Sequence, residues 1–226
     1  MKLSVVVPAL DEEALLPATL AALAPLRARG HEVIVVDGGS ADGTREVARA
    51  GADRVLDAPR GRARQMNTGA RAAIGDVLLF LHADTLPPPD ADECIRRALG
   101  SGRCWGRFDV RIGGRSRVLG VVAWFMNARS RLTGIATGDQ AIFVRRETFR
   151  GVGGFADVDL MEDLLLSRAL KRVSPPACLR ERATTSGRRW EARGIVRTVA
   201  RMWWLRLRFF FGADPARLAR GYDARR

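Results

Sequence analysis

Short apolar runs alternate with longer amphipathic stretches over the N-terminal half of the chain. Four apolar runs predict strands, at residues 3–7, 33–36, 54–56 and 77–81. Three stretches with apolar residues at helical spacing predict helices, at residues 12–28, 43–50 and 61–74. This alternation is typical of a parallel sheet with helices on both faces, and right-handed crossovers bring the carboxyl ends of its strands to one edge. Open α/β sheets bind their ligands at that edge.

The second half of the chain is less regular. Its pattern predicts helices at residues 90–99, 116–131 and 161–171, and strands at residues 105–112 and 141–145. From residue 191 to residue 211 it predicts a last helix, rich in aromatic residues and arginine. The sequence therefore indicates one α/β domain with a C-terminal helical extension.

The net charge of the chain indicates which classes of partner it could bind. Its 226 residues include 38 Lys and Arg against 25 Asp and Glu, which gives a net charge of +13. Such an excess favours a phosphate-bearing substrate, an anionic lipid surface or a nucleic acid, although a solvated basic surface has the same composition. No recognisable nucleic-acid-binding motif accompanies the charge, so we expect no nucleic acid partner.

Cysteine usage and hydropathy bear on the compartment. Cys94, Cys104 and Cys178 are scattered and odd in number, which argues against a disulfide framework. The N-terminus has no basic segment and cleavage site of the kind that marks a signal peptide. The longest apolar run, residues 119–126, is shorter than the roughly 20 residues that span a bilayer. We therefore expect a cytoplasmic protein, soluble or peripheral on the inner face of the cell membrane.

Acidic residues follow the first two predicted strands. Asp11 and Glu12 come after Pro8, which has no amide hydrogen for a sheet ladder. They either face a ligand or stabilise the N-terminus of the first helix. Asp37 ends the second strand and precedes two glycines that allow a tight turn. Its carboxylate either accepts hydrogen bonds from a base N–H or a ribose hydroxyl, or has a purely structural role.

A third acid, Asp84, lies just beyond the strand predicted at residues 77–81. Mg²⁺ and Mn²⁺ prefer carboxylate and phosphate oxygens, so Asp84 is a candidate ligand for a cation on a diphosphate. The chain has no G-x-G-x-x-G after its first strand and no Walker-type loop, which argues against a dinucleotide site and a P-loop.

Four segments together resemble family 2 glycosyltransferases, which have the GT-A fold. They are VVVPALDEE (residues 5–13), VDGGSADGT (36–44), GRARQMNTG (61–69) and FLHADT (80–85), and they occur in the family's order and spacing. The similarity continues through GDQAIFV (138–144) and the pair Glu162-Asp163. It is greatest to small bacterial members whose metal-site loop reads His-Ala-Asp.

The resemblance implies a domain organisation. It predicts an α/β GT-A catalytic domain over residues 1–190, with a mostly parallel central sheet flanked by helices. Within it, residues 1–100 would form the nucleotide-binding half and residues 101–190 the acceptor half. Residues 191–226 would form a C-terminal amphipathic helix and tail.

The resemblance also implies the residues of the donor site. Seven positions correspond to nucleotide-sugar-binding positions of the family: Pro8, Ala9, Glu12, Asp37, Arg62, Asp84 and Arg189. Asp84 matches the last acid of the family's Asp-x-Asp motif, which binds the divalent cation, Mg²⁺ or Mn²⁺. His82 replaces the first acid of that motif, and Gly38 replaces the second acid of the usual Val-Asp-Asp-Gly-Ser. A UDP-sugar is the expected donor, because uridine is the family's commonest base; guanine and thymine stay open.

On the acceptor side, Glu162 and Asp163 resemble the acidic pair at the head of a helix that faces the acceptor, although they would also suit a helix cap. Inverting transfer needs a carboxylate to take the proton of the acceptor hydroxyl. Asp163 is the predicted base, and Glu162 is the second predicted catalytic residue. Asp139 and Trp190 are predicted to contact the acceptor; Trp190 would also suit a core position.

The predicted C-terminal helix carries a basic stripe. Arg197, Arg201 and Arg208 share one helical face, while bulky apolar residues such as Trp203 and Trp204 lie largely elsewhere. This helix either docks on the catalytic domain or lies in a membrane interface, with tryptophan at headgroup level. The second interpretation would favour a lipid-linked acceptor.

Two other functions stay open on the sequence. A nucleotidyltransferase on a related α/β scaffold would need a basic, glycine-rich loop after the first strand, where residues 11–13 are acidic. A non-catalytic protein that binds nucleotide sugars or membrane surfaces would bind its ligand without turnover.

Overall fold

The computed structural model describes residues 1–214 and 218, apart from the side chains of Arg189 and Arg193. Eight strands in this part are β1 Leu3–Ala9, β2 Glu32–Asp37, β3 Arg54–Asp57, β4 Val77–Phe80, β5 Thr85–Leu86, β6 Trp105–Gly113, β7 Ile142–Arg145 and β8 Ala177–Ser186. The helices are α1 Leu16–Ala28, α2 Thr44–Gly51, α3 Arg62–Ala72, α4 Ala91–Gly100, α5 Val118–Thr133, α6 Arg146–Gly151, α7 Glu162–Lys171, α8 Arg188–Arg193 and α9 Ile195–Phe210. A 3₁₀ turn spans Gly138–Gln140.

The strands form a single sheet in the order β3-β2-β1-β4-β7-β6-β8-β5. Strands β1 to β4 pair in parallel, as the sequence predicts. In the second half, β7 pairs antiparallel with both β4 and β6, β8 pairs parallel with β6, and β5 pairs antiparallel with β8. The carboxyl ends of β1, β2 and β4 therefore meet at one edge, where their loops carry the predicted site.

Both faces of the sheet are buried, which explains the continuous apolar runs. Val5 and Val7 pack in one core layer with Leu16 and Leu23 of α1. Val6 points to the other face, in the layer that contains Met66 of α3 and Phe80. Helices on both faces therefore exclude water from the strands, as the hydrophobic pattern predicts.

Gly69 allows α3 to approach the sheet closely. A Cβ atom at this position would lie 2.4 Å from Val6 Cγ1 and 3.1 Å from Val36 Cγ2. Because no side chain fits in that space, the helix packs directly on β1 and β2 and its first residue, Arg62, lies toward the ligand-binding edge.

Two boundaries of the N-terminal half differ from the prediction. Helix α1 begins at Leu16 and has no acidic residue in its first turn, so the interpretation of Asp11 and Glu12 as helix-stabilising residues is wrong. Asp11 instead has a positive φ of 52° in the preceding loop. Strand β1 continues through Pro8 to Ala9. Pro8 lies beyond the end of β4, because Phe80, the last residue of β4, pairs with Val6. The missing amide hydrogen of Pro8 therefore leaves no hydrogen bond to β4 unmade.

Three features of the second half also differ from the prediction. Strand β8 and helix α6 were not predicted. Strand β8 has no clear apolar period, because it is half-buried and contains charged residues at Arg180, Glu181 and Arg182. The predicted helix over residues 191–211 is interrupted at Gly194, whose φ of 80° separates α8 from α9. In the described part of the chain, no helix is both long and apolar enough to cross a bilayer.

Candidate functional site

The loops after β1 and β2 are bound to each other by hydrogen bonds. The Asp11 N–H donates to Ser40 Oγ at 3.0 Å, and the Ala41 N–H donates to Asp11 Oδ1 at 2.9 Å. The Glu12 N–H donates to Thr44 Oγ1 at 2.8 Å. These acids therefore fix one loop against the other at the edge of the sheet, which sequence reasoning did not foresee.

Asp37 is buried at the end of β2, and its carboxylate is engaged by its own loop. It accepts hydrogen bonds from the Gly39 N–H at 3.0 Å, from Ser40, and from Arg45 Nε at 2.8 Å. Burial alone raises the pKa of Asp37, but the hydrogen bonds from Ser40 and Arg45 outweigh it and bring the pKa below its ordinary value. Contact between Asp37 and a base would require Arg45, which is 37% exposed, to move.

Gln65 is a residue that the sequence analysis did not single out. Its buried amide donates to the carbonyl oxygens of Ala9 and Val36, both at 2.8 Å, and so joins α3 to the ends of β1 and β2. A Cβ atom at Gly38 would lie 3.0 Å from Gln65 Nε2, so glycine at this position leaves room for the amide. Pro8 and Ala9 are buried beside this contact.

A cavity of about 770 Å³ lies between the sheet edge and helices α5 and α9. It brings together six of the residues predicted to act at the site, Arg62, Asp84, Asp139, Glu162, Asp163 and Trp190, and it is also lined by His82. Pro8, Ala9, Glu12 and Asp37 are not among its lining residues. The predicted residues thus fall into two groups, one at the carboxyl ends of β1 and β2 and in the loop after β1, and one around the cavity.

His82 and Asp84 lie just past the end of β4, at the floor of this cavity. His82 Nδ1 is 3.2 Å from Asp139 Oδ1, and a Cβ atom on Gly138 would lie 2.3 Å from His82 Nε2. Glycine at position 138 therefore leaves room for the imidazole. The carbonyl of Asp84 accepts the Ser186 N–H at 3.1 Å, which joins the loop after β4 to the end of β8.

The donor set fits a cation that is bound together with its substrate. Among the described residues, no cluster of three His, Cys, Asp or Glu side chains could hold a metal ion by itself. Mg²⁺ and Mn²⁺ are often held by one or two carboxylates, substrate phosphates and water. The half-buried Asp84 carboxylate, which lines the cavity, suits that type of site.

Asp163 is held by two backbone amides. Its Oδ2 accepts the Gly138 N–H at 3.0 Å, and its Oδ1 accepts the Leu164 N–H at 2.8 Å. The second bond lies within the first turn of α7, so the helix-capping interpretation describes part of its role. The first bond reaches across the cavity wall and fixes the direction of the carboxylate.

Glu162, the neighbour of Asp163, has an unusual protonation equilibrium. Its side chain is 6% exposed, and burial, followed by the negative charge of Asp163, raises its pKa to about 7. The positive charge of Arg62 opposes this shift. Glu162 therefore gains and loses its proton near neutral pH, next to the carboxylate of Asp163.

This equilibrium predicts that Glu162→Gln stabilises the protein at alkaline pH. In the unfolded chain Glu162 ionises above its ordinary pKa of 4.5, whereas the folded chain keeps the proton up to about pH 7. The folded state therefore loses stability as the pH rises through that interval, by on the order of 3 kcal/mol. The free energy of unfolding, measured with urea at pH 5 and pH 8, should fall less between these two pH values in Glu162→Gln than in the wild type. An equal loss in both proteins would contradict the raised pKa.

Helix α9 docks on the catalytic domain and still exposes aromatic side chains. Leu205 is buried against Met161 and Leu164 of the α7 region. Trp203 and Trp204, in contrast, are 62% and 59% exposed. The two interpretations of this helix are therefore compatible. Trp190 is half-buried between α5 and the cavity, and the side chain of Arg189 lies outside the described residues.

The sequence model of Glycosyl transferase family 2 matches residues 4–151, which is more than half of the chain. The chain belongs to glycosyltransferase family 2. Curated relatives of this glycosyltransferase include proteins of Mycobacterium bovis and Mycobacterium tuberculosis named "PGL/p-HBAD biosynthesis glycosyltransferase". Each is 38% identical to it over 88 residues, which cover 36% of this chain and 34% of the relative. The match thus spans about a third of the length of these relatives.

Solved structures show that the family 2 glycosyltransferase has the GT-A fold. S. aureus TarS in complex with UDP-GlcNAc is similar to it with a TM-score of 0.66 at 18% identity, over 82% of this chain and 58% of that chain. Glucosyl-3-phosphoglycerate synthase from Mycobacterium tuberculosis, solved with Mn²⁺, UDP and phosphoglyceric acid, has a TM-score of 0.60 at 23% identity, over 81% of this chain and 69% of that chain.

Family membership favours glycosyl transfer among the three functions that the sequence leaves open, as the four motifs predict. Two arginines in the cavity wall, Arg129 and Arg206, escaped the sequence analysis, since neither belongs to a motif.

Proposed function

We propose that this glycosyltransferase moves a sugar from a nucleoside-diphosphate sugar, specifically a UDP-sugar, to an acceptor hydroxyl with inversion at the anomeric carbon. One observation carries the proposal: Asp84 and the Glu162-Asp163 pair line the same cavity, so a cation-bound diphosphate and a base could act on one substrate. Residues 1–190 would form the catalytic domain and residues 191–226 its C-terminal extension.

The donor would lie across the carboxyl ends of β1, β2 and β4. Pro8, Ala9 and Glu12 would border the nucleoside, and Asp37 would read the base after Arg45 moves aside. Arg62, at the first residue of α3, lines the cavity and would contact the diphosphate together with Arg189. A guanidinium at this place balances phosphate charge.

Asp84 would hold the divalent cation, Mg²⁺ or Mn²⁺, through its carboxylate. When bound, the cation would offset the charge that develops on the departing diphosphate. The complex of glucosyl-3-phosphoglycerate synthase with Mn²⁺ and UDP supports a cation of this type. The hydrogen bond from the Ser186 amide to the Asp84 carbonyl would keep the loop in place.

Asp163 would accept the proton of the acceptor hydroxyl. Two backbone amides orient its carboxylate, and the raised pKa of the neighbouring Glu162 would let that residue hold a proton near pH 7. Asp139 and Trp190 would contact the acceptor from the cavity wall. A fixed base next to the reacting hydroxyl contributes mainly by position.

The acceptor would reach the cavity from a membrane surface. Trp203 and Trp204 on α9 and Trp124 and Phe125 on α5 are exposed beside the cavity, and arginines accompany them on α9. Aromatic and basic residues on one surface favour the interface of an anionic bilayer. This placement would suit a lipid-linked acceptor at the inner face of the cell membrane.

A thermal-shift screen tests the donor assignment. Nucleoside diphosphates and their sugars are added with and without Mn²⁺, and the midpoint of unfolding is recorded. We expect UDP with Mn²⁺ to raise the midpoint by several degrees at saturating concentration, since a ligand that binds only the folded state stabilises it. Stabilisation by GDP but not UDP would contradict the uridine assignment, and stabilisation without any need for Mn²⁺ would contradict the role of the cation.

A further inference from the structure

Two arginines in the wall of the cavity have polar atoms without partners. Arg129 comes from α5 and Arg206 from α9. Nε and Nη2 of Arg129 and Nε of Arg206 are inaccessible to solvent and have no hydrogen-bond partner among the residues that the structure describes. Buried guanidinium N–H groups are normally paired, so this arrangement lacks an acceptor.

The charges of the two arginines act on each other. Burial, and then the charge of Arg206, lowers the pKa of Arg129 to about 10, while Asp163 partly opposes this shift. Two like charges in a partly desolvated wall destabilise the folded chain unless an anion neutralises them. The arrangement is typical of a site that is completed by a ligand.

The surroundings of the pair indicate the kind of ligand. The charge of Asp163 acts on the pKa of Arg129, so the two arginines lie beside the candidate base. The cavity wall around it is apolar, with contributions from Val122, Phe125 and Met202. None of the loop residues after β1 and β2 that we assign to the nucleoside lines this cavity.

We propose that Arg129 and Arg206 together bind a phosphate group of the acceptor, and that the acceptor is an amphiphile whose apolar chain lies between α5 and α9. The proposal rests on the glycosyltransferase function described above and specifies its acceptor class. Guanidinium groups bind phosphate oxygens through paired, charge-assisted hydrogen bonds. The phosphate would satisfy the buried N–H groups, and the apolar walls would cover the hydrocarbon.

The donor diphosphate is the other source of phosphate that could reach the pair. Arg62 and Asp84 already face the cavity from the sheet side, which is where the diphosphate of a nucleotide bound at the carboxyl edge would lie. Arg129 and Arg206 belong instead to the two helices that carry exposed aromatic side chains. This placement favours the acceptor as the source.

Calorimetric titration of the full chain with octyl phosphate tests the proposal. Octyl glucoside, which has the same chain and a neutral head, and inorganic phosphate are titrated in parallel, below the micellar concentration of either amphiphile. We expect the wild type to bind octyl phosphate more tightly than either comparison ligand. In Arg129→Gln and Arg206→Gln, the affinity for octyl phosphate should fall roughly ten- to a hundredfold, because each loses charge-assisted hydrogen bonds.

A parallel titration with UDP and Mn²⁺ distinguishes the two possible sources of phosphate, the donor and the acceptor. The affinity for UDP should stay unchanged in both variants; a loss of UDP affinity without a loss of octyl phosphate affinity would assign the pair to the donor and overturn the proposal. Arg150→Gln, an exposed arginine on α6 outside the cavity, removes the same charge and should change neither affinity. If UDP did not bind the wild type while octyl phosphate did, the donor assignment would fail and the anion site would stand.

The comparison of ligands on the wild type keeps the test independent of the folding of the variants. Equal affinities for octyl phosphate and octyl glucoside would overturn the proposal, because the phosphate would then contribute nothing. Equal affinities for octyl phosphate and inorganic phosphate would also overturn it, because the apolar walls would then contribute nothing.

Discussion

Asp163→Asn is expected to lower the turnover number of sugar transfer by roughly 10²- to 10⁴-fold, the usual contribution of a positioned general base. Asparagine keeps a side-chain oxygen that can accept one of the two amide hydrogen bonds, from Gly138 or Leu164, so the first turn of α7 should persist. The asparagine side chain cannot take the proton of the acceptor hydroxyl. The measurement is the rate of UDP release from the nucleotide sugar selected by the thermal-shift screen, with a membrane extract as the source of acceptor.

Glu162→Gln is the matched variant for this experiment. It changes the adjacent carboxyl in the same way, and we expect it to retain more activity than Asp163→Asn while altering the pH profile near neutrality, where Glu162 titrates. The affinity for UDP with Mn²⁺ should be unchanged in both variants, which separates proton transfer from donor binding. If Asp163→Asn were active and Glu162→Gln inactive, the base would be Glu162 and our assignment would be wrong.

Asp84→Asn is expected to lower the turnover number by roughly a hundred- to a thousandfold, because a bound cation stabilises the departing diphosphate by several kcal/mol. A neutral amide oxygen is a weaker ligand for Mg²⁺ or Mn²⁺ than a carboxylate. The loss should therefore shrink as the Mn²⁺ concentration is raised. Turnover as a function of Mn²⁺ concentration is the measurement that checks it.

Asp157→Asn serves as the control for Asp84→Asn. Asp157 is exposed and pairs with Arg64, and it does not line the cavity. Its replacement should leave both the turnover number and the Mn²⁺ dependence unchanged. A full turnover number in Asp84→Asn, at the Mn²⁺ concentration that half-saturates the wild type, would exclude Asp84 as the metal ligand.

The N-terminal half of the fold could be predicted because its strands are buried on both faces. Val5, Val6 and Val7 face alternate core layers, so the apolar run shows directly in the sequence. Strand β8 could not be predicted in the same way. It is half-buried, and its charged residues hide the pattern that a strand with one apolar face would show.

The candidate site was predictable where a side chain follows a strand, and not where it depends on packing between distant helices. Asp84 and His82 come directly after β4, so motif and topology place them at the edge together. Arg129 and Arg206 meet only because α9 docks beside α5. The contact between Asp37 and Arg45 was likewise not predictable, because no motif records the position of Arg45 on α2.

The two histidines of the chain can report on the position of the cation. His82 lies two residues from Asp84, whereas His31 Nδ1 accepts a hydrogen bond from the Leu3 N–H at the amino end of β1. The seven residues of β1 separate that end from the site by roughly 20 Å. Paramagnetic broadening falls steeply with distance, so the two imidazoles should respond differently to Mn²⁺.

The measurement is the NMR spectrum of the histidine imidazole protons with UDP and Mn²⁺, compared with UDP and diamagnetic Mg²⁺. We predict that the His82 signals broaden strongly while the His31 signals change little. If His82 stayed sharp, or both histidines broadened alike, the cation would not lie at Asp84, and the transfer site would have to be placed elsewhere.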